Sequence, residues 1–218
     1  GWYTLLALSL GHRVLAFEPM SDNVQLLRHS LCLNPGLDER LELHEVALSE
    51  NADCLLGSNS QNAGDGVLLC EEQVQSMTHE SKAEVALKRL DAFLQPGGPQ
   101  VDLLKIDVEG HELAVLRSAE AFFRRTPGHK PPAYIISEIN PEAMRSAGYD
   151  PLEYLTFFAD RGYQIAYKEV QWEQYKVAWR KGQGSPRAEQ VLPRREFSAW
   201  LKTYDFTIPP TIECQLLP

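Results

Sequence analysis

The sequence predicts an α/β fold with one doubly wound, mostly parallel sheet that helices cover on both faces. Short apolar runs without polar alternation recur along the chain, and helical segments separate them. With 218 residues, 44% of them hydrophobic, the chain is long enough to bury a core without metals or disulfides. We therefore predict a single domain over residues 1–218, with four reduced cysteines, because no Cys-x-x-Cys pair is present.

In the first half of the chain, glycine and proline mark the ends of the elements. Gly11 suits the residue after a first helix, since a left-handed backbone costs little without a Cβ. Pro19 ends an apolar run because it cannot donate to a strand ladder. The predicted elements are helices over residues 2–10 and 21–33, strands over 13–17 and 41–48, and a long mobile loop over 49–77 with one strand at 67–69.

In the second half, an apolar run leads into Asp107, then a turn at Gly110, then a helix with apolar residues every three or four positions. Residues 168–210 show no clear period, and we predict an insertion there, before the last strand. The predicted elements are strands over residues 83–87, 101–106, 134–137, 163–167 and 212–217, and helices over 90–94, 112–123 and 152–160.

Three acids, Glu18, Asp107 and Glu138, each follow a separate apolar run. Ligands of parallel sheets bind beyond the carboxyl ends of the strands, so we expect the three acids to line one rim beside a cleft. Glu18 lies 17 residues after Gly1, near the spacing at which a Rossmann-type acid accepts hydrogen bonds from ribose hydroxyls. Gly1 precedes a helix N-terminus, whose unpaired N–H groups suit a phosphate or carboxylate. The alternative for Glu18 is a solvated acid before a turn.

Three segments, in this order, carry a family resemblance. They are Phe17-Glu18-Pro19, the block Leu104-Lys105-Ile106-Asp107-Val108-Glu109-Gly110-His111-Glu112, and the strand end at Glu138. Together they resemble FkbM-family methyltransferases over roughly residues 1–167 and 213–217, and the uninterrupted block is the specific part. The resemblance implies a Rossmann-like methyltransferase fold with a late antiparallel strand, S-adenosylmethionine as cofactor, and methylation of a hydroxyl on a sugar, polyketide or other small molecule.

The resemblance also indicates which residues meet the cofactor. Such proteins carry Asp-x-Gly-x-Asn-x-Gly before the first helix, and Gly1 corresponds to its last glycine, so we expect the first strand to be missing from this sequence. We expect Gly1, Glu18, Pro19, Ala47 and Asp107 to contact the cofactor, with Ala47 beside the adenine. The alternative for Ala47 is a plain core position.

Asp107, His111 and Glu138 are the candidate catalytic residues. An acceptor hydroxyl must lose its proton, which a base with a pKa near the working pH promotes. His111 is the candidate base by its pKa, Asp107 the orienter or second base, and Glu138 the group that binds the hydroxyl. The alternative for His111 is a residue that packs against or caps its own turn at the helix N-terminus. We expect Glu109 and Glu112 to stabilise that helix N-terminus by their charge. A metal ion shared by the three catalytic candidates could also acidify the hydroxyl, but no dense ligand motif supports it and we predict no metal site.

Two other functions stay open from the residues alone. A Rossmann-type half with an acid after its second strand is also typical of an NAD-dependent oxidoreductase. Gly-x-Gly-x-x-Gly upstream of the first helix would favour that reading. A noncatalytic domain that kept the methyltransferase fold is the third possibility, since a fold does not guarantee an activity.

Composition limits the partners. A formal net charge of -9 argues against nucleic acid, and no apolar run is long enough to span a membrane. We expect a soluble protein, by default cytoplasmic, that acts on a small-molecule hydroxyl acceptor. Trp172, Trp179 and Trp200 are candidates to line an acceptor pocket, with core or lid packing as the alternative. Oligomeric state is not indicated.

Overall fold

The structure is a computed structural model that describes residues 1–50, 53–59, 62–70, 81–94, 97–124, 129–168, 190–203 and 211–216. The chain divides into two compact units, Gly1–Leu90 and Asp91–Pro218. Both units contain helices and strands, which confirms the α/β class. The single-domain organisation stays a prediction.

The first unit begins with a helix, a strand and a second helix, as predicted. Val24 and Leu27 of the second helix are buried, and Gly11 after the first helix adopts φ +89, the left-handed conformation expected there. The elements are α1 Trp2–Ser9, β1 Val14–Phe17, α2 Ser21–Cys32, a 3-10 turn Asp38–Arg40, β2 Leu41–His44, β3 Ala47–Leu48, β4 Cys54–Asn59, β5 Asn62–Cys70, β6 Ser81–Glu84 and β7 Leu87–Lys88.

The predicted second strand is wrong as one element, because it consists of two strands with different partners. β2 pairs in parallel with β1, whereas β3 pairs in parallel with β7. The change of partner is visible at Ala47, whose backbone N–H donates to the Ala86 carbonyl at 2.9 Å. Glu45 and Val46 separate the two pairings.

The predicted long loop after the second strand is also wrong for the described residues, although its one predicted strand, at residues 67–69, lies within β5. β4 pairs antiparallel with β5 and with β6, and a disulfide joins Cys54 to Cys70. Ala47, Cys54 and Leu68 form a small buried cluster, against which Leu56, Cys70, Val85 and Leu87 pack. The Gly- and Asn-rich composition concealed these strands, and the expectation of reduced thiols is wrong for this pair. Neither Cys32, which is exposed, nor Cys214, which is buried, takes part in a disulfide.

The second unit is built on one five-stranded sheet with the order β11-β10-β12-β9-β8. β8 and β9 are parallel, and β12 runs antiparallel to both of its neighbours, as the predicted late antiparallel strand. The elements are a 3-10 turn Leu90–Ala92 at the boundary between the units, β8 Leu103–Ile106, α3 Glu112–Arg117, β9 Tyr134–Glu138, α4 Pro141–Ser146, α5 Pro151–Asp160, β10 Tyr163–Lys168, β11 Gln190–Val191, a 3-10 turn Arg194–Glu196, α6 Phe197–Thr203 and β12 Thr211–Leu216.

Buried helical side chains form the core of the second unit. α3 contributes Leu113 and Leu116, and α5 contributes Tyr154, Leu155 and Phe158, all fully buried. Pro at the first position of α5 and the Asp150 side chain, which accepts from the Leu152 N–H, fix where this helix begins. α5 also packs against β10 and α3.

Within the described residues, the strands form four small sheets. A single Rossmann-like sheet therefore stays a prediction, as does the missing first strand. Of the predicted insertion, residues 169–189 and 204–210 lie outside the described residues, while residues 190–203 contain β11 and α6. Among the helices in the described ranges, none has both the length and the apolar composition needed to cross a membrane.

Candidate active site

Asp107 and Glu138 come together at the carboxyl ends of two neighbouring parallel strands. The register pairs Lys105 with Ile136 and Ile106 with Ser137, so the next residues along are Asp107 and Glu138. Side chains alternate between the faces of a strand, which places both acids on the same side. The structure therefore brings together two of the three acids that the sequence singles out.

Lys105 is the cation of this site. Its ammonium group lies 2.8 Å from Asp107 Oδ2 and also donates to the Ile106 carbonyl at 3.3 Å. The side chain of Lys105 is 19% exposed and that of Asp107 is 42% exposed. A lysine two residues before an acid in a strand shares its face, so the sequence contained this signal, but we did not assign Lys105 a role.

Glu138 is half-buried, and its pKa is raised above the ordinary value. Burial is the first cause, because it disfavours the charged carboxylate, and the negative charge of Asp107 is the second. The charge of Lys105 partly opposes the shift, whereas that of Glu112 adds to it. Two carboxyl groups in contact, one with a raised pKa, can hold and exchange a proton.

The turn at residues 108–110 connects β8 to α3 through an unusual backbone. Glu109 adopts φ +52 and Gly110 adopts φ +96. A Cβ at Gly110 would come within 2.7 Å of the Ala143 carbonyl carbon in α4, so this position requires glycine for space as well as for conformation. A left-handed non-glycine residue costs roughly 1–3 kcal/mol and persists only where its surroundings hold it.

Glu112, the first residue of α3, is held inside the molecule at 2% exposure. Its Oε1 atom accepts hydrogen bonds from the Val108 N–H at 3.3 Å and the Gly110 N–H at 3.2 Å. Burial raises the pKa of this carboxyl, and the hydrogen bonds from its own backbone N–H and from those of Gly110 and Val108 oppose the shift. From the sequence we predict a role for Glu112 at the helix N-terminus. The sequence does not predict that its carboxylate binds the preceding turn.

His111 lies in the core, at 1% exposure, with its ring edge-on to Tyr149 at 5.7 Å between ring centres. Its side chain does not cap α3. Burial lowers the pKa of His111 to about 4, with a small opposing effect from the Glu109 carbonyl. The imidazole is therefore neutral at physiological pH. Its burial against Tyr149 agrees with a packing role for this ring.

Tyr154 of α5 is fully buried behind the same strand ends. Its pKa lies well above the usual value because of burial first, and then because of the negative charge of Glu112. The phenol therefore stays protonated. Tyr154 was not singled out from the sequence, where an aromatic in an apolar helix is indistinguishable from a core residue.

In the first unit, Glu18 follows β1 as predicted, and its backbone N–H donates to the His44 carbonyl at 3.0 Å. Its Oε1 accepts from the Met20 N–H at 2.9 Å, across Pro19. Gly1 is the N-cap of α1, where no side chain caps the helix, and a Cβ would stand 3.1 Å from Leu27 of α2. The meeting of Glu18 with the other two acids stays a prediction.

Of the other candidate residues, Ala47 and Trp200 are both buried. Ala47 is buried in the cluster with Cys54 and Leu68, and its contact with a cofactor stays a prediction. Trp200 of α6 is 7% exposed and packs against Tyr167 with 5.2 Å between ring centres. Both rings line a cavity of about 440 Å³. Trp172 and Trp179 lie outside the described residues.

A metal site is not visible in the part of the chain that the structure describes. No group of three or more His, Cys, Asp or Glu side chains there is arranged to hold an ion. The site is thus best described as a carboxyl pair with a lysine on one side and a buried glutamate behind it.

Comparison with known families confirms the family resemblance of the sequence. The sequence model described as Methyltransferase FkbM domain matches residues 2–165, which is more than half of the chain. The match covers β1, the turn at residues 108–110 and β9, and hence Glu18, Asp107 and Glu138. Neither the curated proteins nor the solved structures yielded a match.

Proposed function

This chain belongs to the methyltransferase FkbM family, and from that premise we propose that it transfers a methyl group from S-adenosylmethionine to a hydroxyl of a small molecule or sugar. The observation that supports this proposal best is the carboxyl pair of Asp107 and Glu138. A hydroxyl is a poor nucleophile until its proton is removed, and this pair is the group in the site suited to remove it.

Glu138 is the proposed proton acceptor. Its raised pKa makes it a stronger base than an ordinary carboxylate. With the cofactor bound, the Glu138 carboxylate would take the proton of the acceptor hydroxyl as the hydroxyl oxygen replaces sulfur on the methyl carbon, so that S-adenosylhomocysteine is the leaving group. Asp107, held by the Lys105 ammonium group, orients the hydroxyl. The negative charge of Asp107 also disfavours a second charge on Glu138, which therefore binds a proton more readily.

In this proposal His111 is not the base that the ordinary pKa of a histidine suggested. A ring at 1% exposure with a pKa of about 4 does not meet a diffusing acceptor and is a weak base. We assign His111 to the packing that supports the turn after Asp107. Proton removal is left to the two acids.

The first unit offers groups that fit the cofactor. S-adenosylmethionine, when bound, supplies the electrophilic methyl group. Glu18 has one carboxylate oxygen fixed by the Met20 N–H, and its other oxygen can accept from a ribose hydroxyl. The N-terminus of α1, uncapped by any side chain, presents N–H groups that suit a carboxylate. Gly1, Pro19 and Ala47 are proposed to border the same ligand, within a Rossmann-like fold.

Titration of S-adenosylmethionine and of NAD into the full-length protein, followed by calorimetry, tests the class. We expect binding of the methyl donor alone, weakened at least tenfold in Glu18→Ala but not in the matched control Glu45→Ala, an exposed acid of the same unit. Incubation with hydroxylated acceptors should then release S-adenosylhomocysteine. Binding of NAD alone would support an oxidoreductase, and binding of neither would support a noncatalytic domain.

A further inference from the structure

Glu112 binds the backbone of the turn that directly follows Asp107. Its Oε1 atom accepts hydrogen bonds from the backbone N–H groups of Val108 and Gly110, which are the first and last residues of the turn. The turn is closed by a further hydrogen bond from the His111 N–H to the Val108 carbonyl at 3.2 Å. A single buried side chain therefore fixes the path of the chain directly after the acid.

The same turn is packed against the segment that follows the other acid. Gly110 leaves no room for a Cβ beside the backbone of Ala143, in α4. α4 begins at Pro141, three residues after Glu138, and the Asn140 side chain caps it by accepting from the Ala143 N–H at 3.1 Å. A movement of the turn would thus change the position of Asp107 and press on the helix next to Glu138.

We propose that Glu112 is a positioning residue for methyl transfer, because its carboxylate holds the turn at residues 108–110 and so keeps Asp107 in place against Glu138. This inference rests on the proposed function of the acid pair. The left-handed backbone of Glu109 inside the turn supports it, since such a conformation persists only where neighbouring groups hold it.

A plain helix-capping role does not account for the surroundings of Glu112. The side chain is buried at 2% exposure, and its Oε2 atom meets no hydrogen-bond donor among the described residues. Titratable groups that interact with it come from three elements: Asp107 from the end of β8, Glu138 from β9 and Tyr154 from α5. A first-turn acid that served only the helix would face solvent, as Glu142 of α4 does.

Three variants test the proposal in the full-length protein. Glu112→Ala removes the acceptor, and Glu112→Gln keeps an oxygen at the same reach without the charge. Glu142→Ala is the matched control, because this glutamate occupies the first turn of α4 and is exposed. For each protein, kcat and KM for the acceptor, the Kd for S-adenosylmethionine and the hydrogen exchange of the Val108 and Gly110 amides are measured.

We expect Glu112→Ala to lower kcat about 10- to 100-fold while the Kd for S-adenosylmethionine changes less than about twofold, since a displacement near 1 Å costs that much in rate. Glu112→Gln should recover most of kcat, and Glu142→Ala should match the unaltered protein. Equal kcat in Glu112→Ala and the unaltered protein would overturn the proposal. So would a loss in Glu112→Gln as large as in Glu112→Ala.

Amide exchange separates this proposal from the proposed function. The Val108 and Gly110 amides should exchange faster in Glu112→Ala and stay protected in Glu112→Gln, whether or not the protein shows methyl transfer. Unchanged exchange in Glu112→Ala refutes the inference, whereas absence of activity in the unaltered protein refutes the function. If Glu112→Ala fails to fold, Glu112→Asp, which is one methylene shorter, takes its place with the same expected results.

Discussion

Glu18 and Glu138 occupy equivalent positions in the chain, each at the end of a parallel strand, but their surroundings differ. Glu18 accepts a hydrogen bond from the backbone two residues on, which fixes one carboxylate oxygen. Glu138 is half-buried beside a second acid, and its pKa is raised. Equal positions at strand ends therefore do not imply equal chemistry. A fixed, hydrogen-bonded carboxylate suits ligand binding, whereas a crowded, partly desolvated one suits proton transfer.

The largest expected effect comes from neutralising the two acids separately. Glu138→Gln should lower kcat by roughly 10²- to 10⁴-fold with little change in the Kd for S-adenosylmethionine, because a positioned general base contributes about that much. Glu18→Gln should instead weaken cofactor binding and leave kcat at saturating cofactor nearly unchanged. Steady-state kinetics and calorimetry measure both, with exposed Glu142→Gln as the control for Glu138. If the two variants lose the same parameter, the comparison between these acids is wrong.

The second effect concerns stability and should be confined to the first unit. Reduction of the Cys54–Cys70 disulfide opens a loop closed over a sequence separation of 16 residues and should cost about 3 kcal/mol of unfolding free energy. Urea unfolding with and without reductant measures the change, and hydrogen exchange locates it.

A Cys32→Ser variant is the control for the disulfide, since Cys32 is free and exposed. It should respond to reductant as the unaltered protein does. We expect faster exchange in β4 and β5 after reduction, with β8 and β9 unchanged. Equal loss of protection in both units would show that the stability of the acid pair also depends on the disulfide.

The sequence predicted the parts of this molecule that local patterns determine. Apolar runs closed by Glu18, Asp107 and Glu138 identified strands, and the register of β8 and β9 confirms that the last two acids are adjacent. The hairpin of β4 and β5 was missed because cross-strand pairing and a disulfide hold a segment whose composition favours turns.

The candidate site shows the same limit. A sequence shows that His111 can titrate near neutral pH, but not that its ring is buried, which lowers its pKa to about 4. Likewise, Glu112 has the position of an ordinary helix-terminal acid, and only the three-dimensional path of the turn reveals that it binds the Val108 and Gly110 amides. Burial and tertiary hydrogen bonds, rather than residue type, decide which groups carry the chemistry.

The smallest effect, and the sharpest comparison, is a shift of the pH profile. If Glu138 is the base, kcat/KM rises as pH increases through its pKa, which lies above the ordinary carboxyl value. Asp107→Asn removes a negative neighbour and should move this acid limb to lower pH. Lys105→Met removes the cation that stabilises the carboxylate and should move it to higher pH.

The raised pKa of Glu138 also determines the direction in which the free energy of unfolding changes with pH. A carboxyl with a raised pKa in the folded state binds more protons there than in the unfolded chain, so Glu138 lowers stability as pH rises from its ordinary value through its folded pKa. Glu138→Gln should remove this part of the pH dependence of unfolding, measured by urea titration across that range. If Asp107→Asn and Lys105→Met move the limb in the same direction, charge does not set the pKa of Glu138. The contrast with Glu18 would then have to rest on burial alone.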